Sequence, residues 1–390
     1  MSRWPNKYVI GLTGNIATGK SVVRKMLQHA GAYTIDADQL AHQTMMPGAP
    51  AYKPIIDTFG QFVIGSDKRI NRELLGKMVF GNPDAMKKLE AITHPIVRQG
   101  IDVLVKRSKQ PIVVVEAIKL LEGDLKDWVD SIWVVNASKK TQYIRLVKQR
   151  KMSEDDAKRR ILSQNKQGDK LKAAHVIIDN DGDVEKTWKQ IQTQWAEIRK
   201  QLSKSAGGDT TSASASMDEP QAVSIAGLNV RRGMPNNAQS IADFITAHGN
   251  GGQVSRMDVM MSFGQKSYLI AQDDKEDVLA LIGWTVENLV TRMDDFYIKQ
   301  GVPVDKAVHA ILTAVEDASS DLSSEAAFVF LATSASDAIF NAFTAHDYAT
   351  ITLKEIKIPV WREAVEEALR DNDRIVLWKQ LRKDRVLQPI

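Results

Sequence analysis

Residues 7–22 read KYVIGLTGNIATGKSV. The apolar run Tyr8–Thr13 leads straight into Gly14, Asn15, Ile16, Ala17, Thr18, Gly19, Lys20 and Ser21, and a helical pattern begins at Lys20 and Val22. Glycine, four residues, then Gly-Lys-Ser between a strand and a helix is the spacing of a phosphate-binding loop. Gly14 and Gly19 let the backbone turn tightly and approach phosphate oxygens without a Cβ in the way. Successive N–H groups and the helix start aim positive potential at a β-phosphate. Lys20 reaches the β/γ oxygens, and the Ser21 hydroxyl is of the type that ligates Mg²⁺. The stretch Gly14–Val22 therefore predicts a nucleoside triphosphate site with Mg²⁺ beside it, but leaves the acceptor open.

Outward from this loop, short apolar runs alternate with longer helical patterns. The runs are Tyr8–Thr13, Ala32–Ile35, Pro111–Val115, Ser131–Asn136 and His175–Ile178. Continuous runs such as IVVV and IWVV suit strands buried on both faces, as in a parallel sheet covered by helices. Helical patterns cover Lys20–Ala30, Asn71–Phe80, Pro83–Arg107, Lys139–Arg150 and Asp183–Leu202. The alternation predicts an α/β three-layer fold.

The second run ends in Asp36-Ala37-Asp38, and a helix follows. Open α/β sheets bind ligands at the carboxyl ends of their strands, so both acids are expected near the loop. One can accept a proton from a sugar hydroxyl, and the other can hold a metal-bound water. An Asp just before a helix also caps it, and spacing alone does not separate these roles.

The chain has 390 residues and no cysteine, which excludes disulfides, thiolate nucleophiles and Cys-ligated metals. The length predicts two domains. No apolar run approaches the ~20 residues that span a bilayer, and Pro5 and Lys7 interrupt any signal-like start, so a cytoplasmic protein without membrane partners is expected. The net charge of +4 conceals an asymmetry. Residues 1–204 hold 35 Lys+Arg against 22 Asp+Glu, and residues 205–390 hold 17 against 26. A basic half suits a polyanionic ligand, or the two halves lean on each other. Between them, SAGGDTTSASASMDEPQA over 205–222 is small and polar, too poor in apolar surface to offset its ordering entropy. This predicts a domain over 1–204, a flexible linker over 205–222 and a second domain over 223–390.

Several features of the first domain, in order, resemble the dephospho-coenzyme A kinases, relatives of the nucleoside monophosphate kinases. They are GLTGNIATGKS, TIDADQLAH, Pro47-Gly48 with AYKPIIDTFG, the helical INRELLGKMVFGNPDAMKKLEAITHPIV ending in His94-Pro95, the lid-like RLVKQRKMSEDDAKRRILSQ, and HVIIDNDGD. The resemblance covers about residues 6–200 and implies a P-loop kinase fold with a helical lid. It also implies transfer of the ATP γ-phosphoryl to the ribose 3′-hydroxyl of dephospho-coenzyme A. By position, Asp38 matches the catalytic base, Asp36 would orient it or the metal shell, and Arg150 matches an arginine that neutralises the transferring phosphate. Arg145 and Arg160 are secondary candidates. His94 is a candidate acceptor contact, or a structural His at a helix kink. The sequence departs from the family at Asn15 and Ala17, where glycine is usual. Asn15 is expected to tolerate left-handed geometry, and the Ala17 methyl to tighten the nucleotide fit. After the third strand, Glu116-Ala117-Ile118-Lys119 replaces an Asp-x-Pro-Leu stretch. Glu116 occupies a position that suits Mg²⁺ held through water, and Lys119 adds charge near the acceptor.

In the second half, LNVRRG, a helix near Asn237–Ala247, SYLIAQ, LALIGWTVENLVTRMDDFYI, a Lys306–Ala318 helix, AAFVFLATS and an Asp337–His346 helix form an order that resembles GNAT acetyltransferases. That resemblance implies a pyrophosphate loop where the chain reads GVPVDKAVHAIL. There Pro303 lacks an N–H, Asp305 adds like charge and the glycines are missing, so acetyl-coenzyme A chemistry is expected to be lost. Trp284, Phe296, Tyr297, Phe328 and Phe330 read as core or interface. Two other readings are a nucleotide switch that binds nucleic acid and a bifunctional kinase–acetyltransferase. No aromatic–basic interleaving supports nucleic acid as a partner. Self-association is left open.

Overall fold

The five apolar runs pair into one parallel sheet. In the computed structural model, β1 (Tyr8–Thr13), β2 (Tyr33–Asp36), β3 (Ile112–Glu116), β4 (Ser131–Asn136) and β5 (Val176–Asp179) lie in the order β2-β3-β1-β4-β5. The structure describes residues 3–164, 167–205, 222–249, 252–287, 289–333, 335–369 and 374–384. Each strand lies within one residue of its expected limits. All five residues of β3 are buried, which is why it reads as IVVVE without alternation. The register sets Asp36 and Leu12 on either side of Glu116. The carboxyl edge therefore brings the loop after β1, the acid ending β2 and the acid ending β3 into one row.

Helices cover both faces: α1 (Lys20–His29), α2 (Ala37–Thr44), α3 (Tyr52–Phe59), α4 (Arg72–Phe80), α5 (Pro83–Arg107), α6 (Lys139–Ile144), α7 (Glu154–Leu162), α8 (Gln167–Ala173) and α9 (Val184–Ser205). Asn82 caps α5 by accepting from Asp84 N at 3.0 Å and Ala85 N at 3.1 Å, and Pro83 takes the first turn, where its missing N–H costs nothing. α5 continues through Pro95. The expected Lys139–Arg150 helix instead changes at Arg145 into a π-helical turn over Arg145–Gln149.

The second half forms a mixed sheet. Its strands are β6 (Val223–Ile225), β7 (Leu228–Gly233), β8 (Ser267–Gln272), β9 (Val278–Glu287), β10 (Val290–Ile298), β11 (Ala326–Ala332), β12 (Ala349–Thr350) and β13 (Arg374–Gln380). Among the described residues their order is β12-β13-β11-β10-β9-β8-β7-β6, with β10 and β11 parallel and the other neighbours antiparallel. Helices α10 (Ala238–His248), α11 (Arg256–Ser262), α12 (Val304–Asp321), α13 (Asp337–Thr344) and α14 (Pro359–Leu369) complete it. The expected element order is present, extended by β6, α11, β12, α14 and β13. Trp284, Phe328 and Phe330 are buried as expected, and Phe296 packs on the cluster that holds Trp284. Apart from its first and last residues, the 205–222 linker lies outside the described residues.

The two sheets share a hydrophobic cluster. Tyr33, Leu104 and Val113 of the first half belong to the same contiguous apolar core as Leu228, Trp284 and Leu322 of the second. Two ion pairs between the halves follow the charge asymmetry: Lys109 meets Asp321 at 3.0 Å, and Lys25 lies 3.9 Å from Glu287; the Arg256–Glu185 pair runs the other way. Part of the basic excess of the first half thus answers the acidic half rather than a ligand.

Candidate active site

The phosphate-binding loop is built on positive φ angles. Gly14 has φ 154° and Gly19 has φ 96°, and a Cβ would fall 2.6 Å from Val135 O at Gly14 and 2.0 Å from Asn180 Nδ2 at Gly19. The left-handed non-glycine residue is Ala17, at φ 56°, and not Asn15. Asn15 therefore survives without left-handed tolerance, while Ala17 bears about 1 kcal/mol of backbone strain. The Ala17 methyl packs with Leu146 and Ala157 of the lid, so its contact is with protein rather than with nucleotide space.

Several side chains hold the loop from outside. Arg145 donates to Ala17 O at 3.1 Å, Thr18 O at 3.0 Å and Asn180 O at 2.7 Å. Asn180 Nδ2 donates to Thr18 O at 2.8 Å, and Gln164 accepts from Ile16 N at 2.7 Å. Arg145 is therefore a loop clamp, not an arginine turned to a transferring phosphate. Arg150 ends the π-helical turn, exposed at the lid, and its charge acts on Lys20; Arg160 is exposed in the last turn of α7.

Lys20 is 8% exposed and donates to Asn15 O at 3.2 Å. Burial lowers its pKa, against the pull of Glu116, Asp38 and Asp36. The field of three carboxylates thus acts on one ammonium. Asp36 caps α2 by accepting from Gln39 N at 3.0 Å and lies 3.7 Å from Arg24. Glu116 is buried and accepts from Arg24 Nε at 2.6 Å; desolvation raises its pKa against Arg24. Asp38 stands in the first turn of α2, open to solvent, and accepts from Ile118 N at 3.2 Å. Its pKa is raised by its desolvated surroundings and by Asp36, against Ile118 N–H, Lys20 and Lys119. A stronger base that still reaches solvent suits proton acceptance.

Beside Asp38 opens a cleft of about 420 Å³, walled by α2, α5 and the segment after β3. His94 lines it, exposed on α5 one residue before Pro95. Met86, Val97 and Ile101 make the far wall apolar. Lys119 crosses the rim to Glu90 at 3.0 Å. The added charge is therefore paired within the cleft wall.

Sequence reading did not single out Arg24, Asn180, Gln164 or Lys170. Lys170, buried on α8, donates to Ile118 O at 3.1 Å and feels the charges of Lys20 and Asp38. These residues hold the site from four separate elements, and no local spacing marks them. Among the described residues no three His, Cys, Asp or Glu side chains form a metal-holding group, and no helix is long and apolar enough to cross a membrane.

Residues 8–186 match the dephospho-CoA kinase family profile. A Geobacter metallireducens dephospho-CoA kinase is 41% identical over 192 residues, spanning 48% of this chain and 96% of the relative. A dephospho-CoA kinase structure from Campylobacter jejuni is 28% identical and covers 51% of this chain and 99% of its own, with a TM-score of 0.37. A GNAT-family acetyltransferase structure from Staphylococcus aureus Mu50 is 11% identical and covers 40% of this chain and 99% of its own, with a TM-score of 0.30.

Proposed function

The chain belongs to the dephospho-CoA kinase family, and from that premise we propose how its residues divide the work. The reaction moves the γ-phosphoryl of ATP to the ribose 3′-hydroxyl of dephospho-coenzyme A, giving coenzyme A. Residues 1–204 form the catalytic unit and residues 223–390 a second unit joined through 205–222.

Main-chain amides from Gly14 to Val22 hold the β-phosphate, and Lys20 neutralises charge shared by the β- and γ-oxygens. Asp38 accepts the hydroxyl proton of the acceptor, which lies in the cleft lined by His94. Asp36 and Arg24 keep the α2 start in register with the sheet edge. Arg150 reaches the γ-phosphoryl from the lid, and Arg145 keeps the loop carbonyls turned away from it. Phosphoryl transfer depends mostly on position and charge, so these roles account for the rate without a covalent step. The open Ser21 hydroxyl fits Mg²⁺, with Glu116 and Asp36 behind it as acceptors of its waters; the ion would neutralise triphosphate charge. Glu116, already bound to Arg24, acts through water rather than as a direct ligand.

The observation that carries this reading is the position of Asp38, one side toward the charge of Lys20 and the other lining the acceptor cleft. Asp38→Asn keeps ATP binding near normal and cuts turnover by about 10²–10⁴, the range for a general base. Full activity in that variant, with ATP consumption measured over dephospho-coenzyme A, adenosine, nucleoside monophosphates and shikimate, would remove Asp38 from the role. In the second unit, Pro303 caps α12 without a side-chain hydrogen bond and Asp305 sits in the first turn, which supports loss of pyrophosphate binding there.

A further inference from the structure

From Val23 to His29, helix α1 is buried on every side. Val23, Met26 and Leu27 face the parallel-sheet core. Arg24, Lys25, Gln28 and His29, polar residues on the other side, are buried as well. The second unit meets Lys25 and His29 directly. Lys25 Nζ donates to Thr285 Oγ1 at 2.5 Å and lies 3.9 Å from Glu287, both at the end of β9. Glu287 is itself held by Arg292 at 2.9 Å. His29 Nε2 lies 3.1 Å from Phe263 O, and its ring meets the Phe263 ring edge-on.

An ammonium taken out of water is tolerated only where oxygens receive it. For Lys25 those oxygens belong to Thr285 and Glu287, so α1 cannot slide or turn without stranding a buried cation. Lys25 sits five residues from Lys20, about 7.5 Å along a stiff helix. Its neighbour Arg24 holds Glu116 at 2.6 Å and Asp36 at 3.7 Å. A cavity of about 250 Å³ lies between these groups and the β9 end, with Ser21, Arg24 and Asp36 on one wall and Val286, Glu287 and Leu289 on the other. Glu287 also adds to the negative field on Arg24.

We propose that Thr285 and Glu287 are positioning residues of the phosphotransferase site: by anchoring Lys25 they set the placement of α1, and with it Lys20 and the Arg24–Glu116–Asp36 cluster. The second unit is thereby part of the kinase machinery without touching substrate. The inference rests on the assignment of Lys20 and Asp38 above.

The test uses the full-length chain with ATP and dephospho-coenzyme A. Thr285→Val keeps the side-chain shape and removes the acceptor oxygen. Its kcat falls about tenfold while KM for ATP stays within about twofold, because misplacement of α1 is felt in the transition state. Thr285→Ser restores the oxygen and returns kcat to within about twofold of the parent. Glu287→Gln lowers kcat in the same direction. Lys25→Met combined with Thr285→Val is no slower than Lys25→Met alone, since both remove one contact. Asp321→Asn, which cuts the distant pair with Lys109, leaves kcat unchanged and serves as the docking control.

Parent-like kcat in folded Thr285→Val and Glu287→Gln overturns the proposal. So does a Thr285→Ser variant as slow as Thr285→Val, which would make packing the cause. If Thr285→Val melts at the assay temperature, Glu287→Gln decides alone, its side chain being 35% exposed and tolerant of change. An active Lys20→Ala variant would instead sink the loop assignment, whatever the clamp variants do.

Discussion

Helix α1 carries two buried lysines that meet opposite fates. Lys20, at its start, lies in the field of Glu116, Asp38 and Asp36. Lys25, further along, is closed in by Thr285 and Glu287 of the other unit. Burial lowers the pKa of both, that of Lys25 to about 8. On the reading proposed above, the same residue type on one helix thus does chemistry at one end and holds architecture at the other. What separates them is their surroundings: Lys20 sits in the loop proposed to hold phosphate, while Lys25 is enclosed by protein.

The most forceful way to break this comparison is Lys20→Ala. It is expected to abolish phosphoryl transfer, because charge on the β/γ oxygens loses its nearest cation. Steady-state turnover checks it, and a residual rate within about tenfold of the parent would put the two lysines in one class.

A smaller effect is expected from Gly19→Ala. The new Cβ would lie 2.0 Å from Asn180 Nδ2 at a residue with φ 96°, so the loop must shift where α1 begins. KM for ATP should rise about tenfold or more, with thermal stability lowered by about 1–2 kcal/mol of left-handed strain. An unchanged KM would show that the amides at the helix start do not grip the triphosphate.

The mildest test concerns the closed end of α1. Burial pushes the His29 pKa down to about 3, with repulsion from Lys25 and Arg232 adding to it and the carbonyls of Phe263 and Lys266 opposing it. The folded state therefore holds this imidazole neutral, while the unfolded chain protonates it near its ordinary value of 6.5. The unfolded state binds more protons between those values. Stability from this group is complete above pH ~6.5 and declines as pH falls toward about 3, by at most about 1.4 kcal/mol per pH unit. Denaturant melts at pH 7.0 and 5.5 should differ in the parent and less in His29→Gln. Equal pH slopes in the two would place His29 in water and not beneath the second unit.

Much of the first unit was legible because its signals are local. The IVVV and IWVV runs predict strands within a residue of β3 and β4, and Gly14 with Gly19 predicts the backbone turns. Asp36 and Asp38 were legible as a pair, but their division was not. Capping by Asp36 and the Ile118 N–H on Asp38 depend on how α2 meets the segment after β3. Arg145 shows the limit of position-matching: its partners Ala17, Thr18 and Asn180 lie 35 or more residues away. In the second unit, the elements after Asp337–Thr344 went unread, although PVWREAVEEAL and RIVLWKQ carry helical and alternating patterns.

By itself, then, the order of residues determined a strand–loop–helix with the spacing of a phosphate-binding loop, an acid pair beside it, and a parallel sheet to carry both, since each follows from steric and hydrogen-bonding preferences of neighbours in the chain. Tertiary structure alone decided that Arg24, Lys25, Gln28 and His29 are interior. A polar helix face looks like a solvent face until a distant segment covers it, and the free energy of a charge depends on what stands across from it in space.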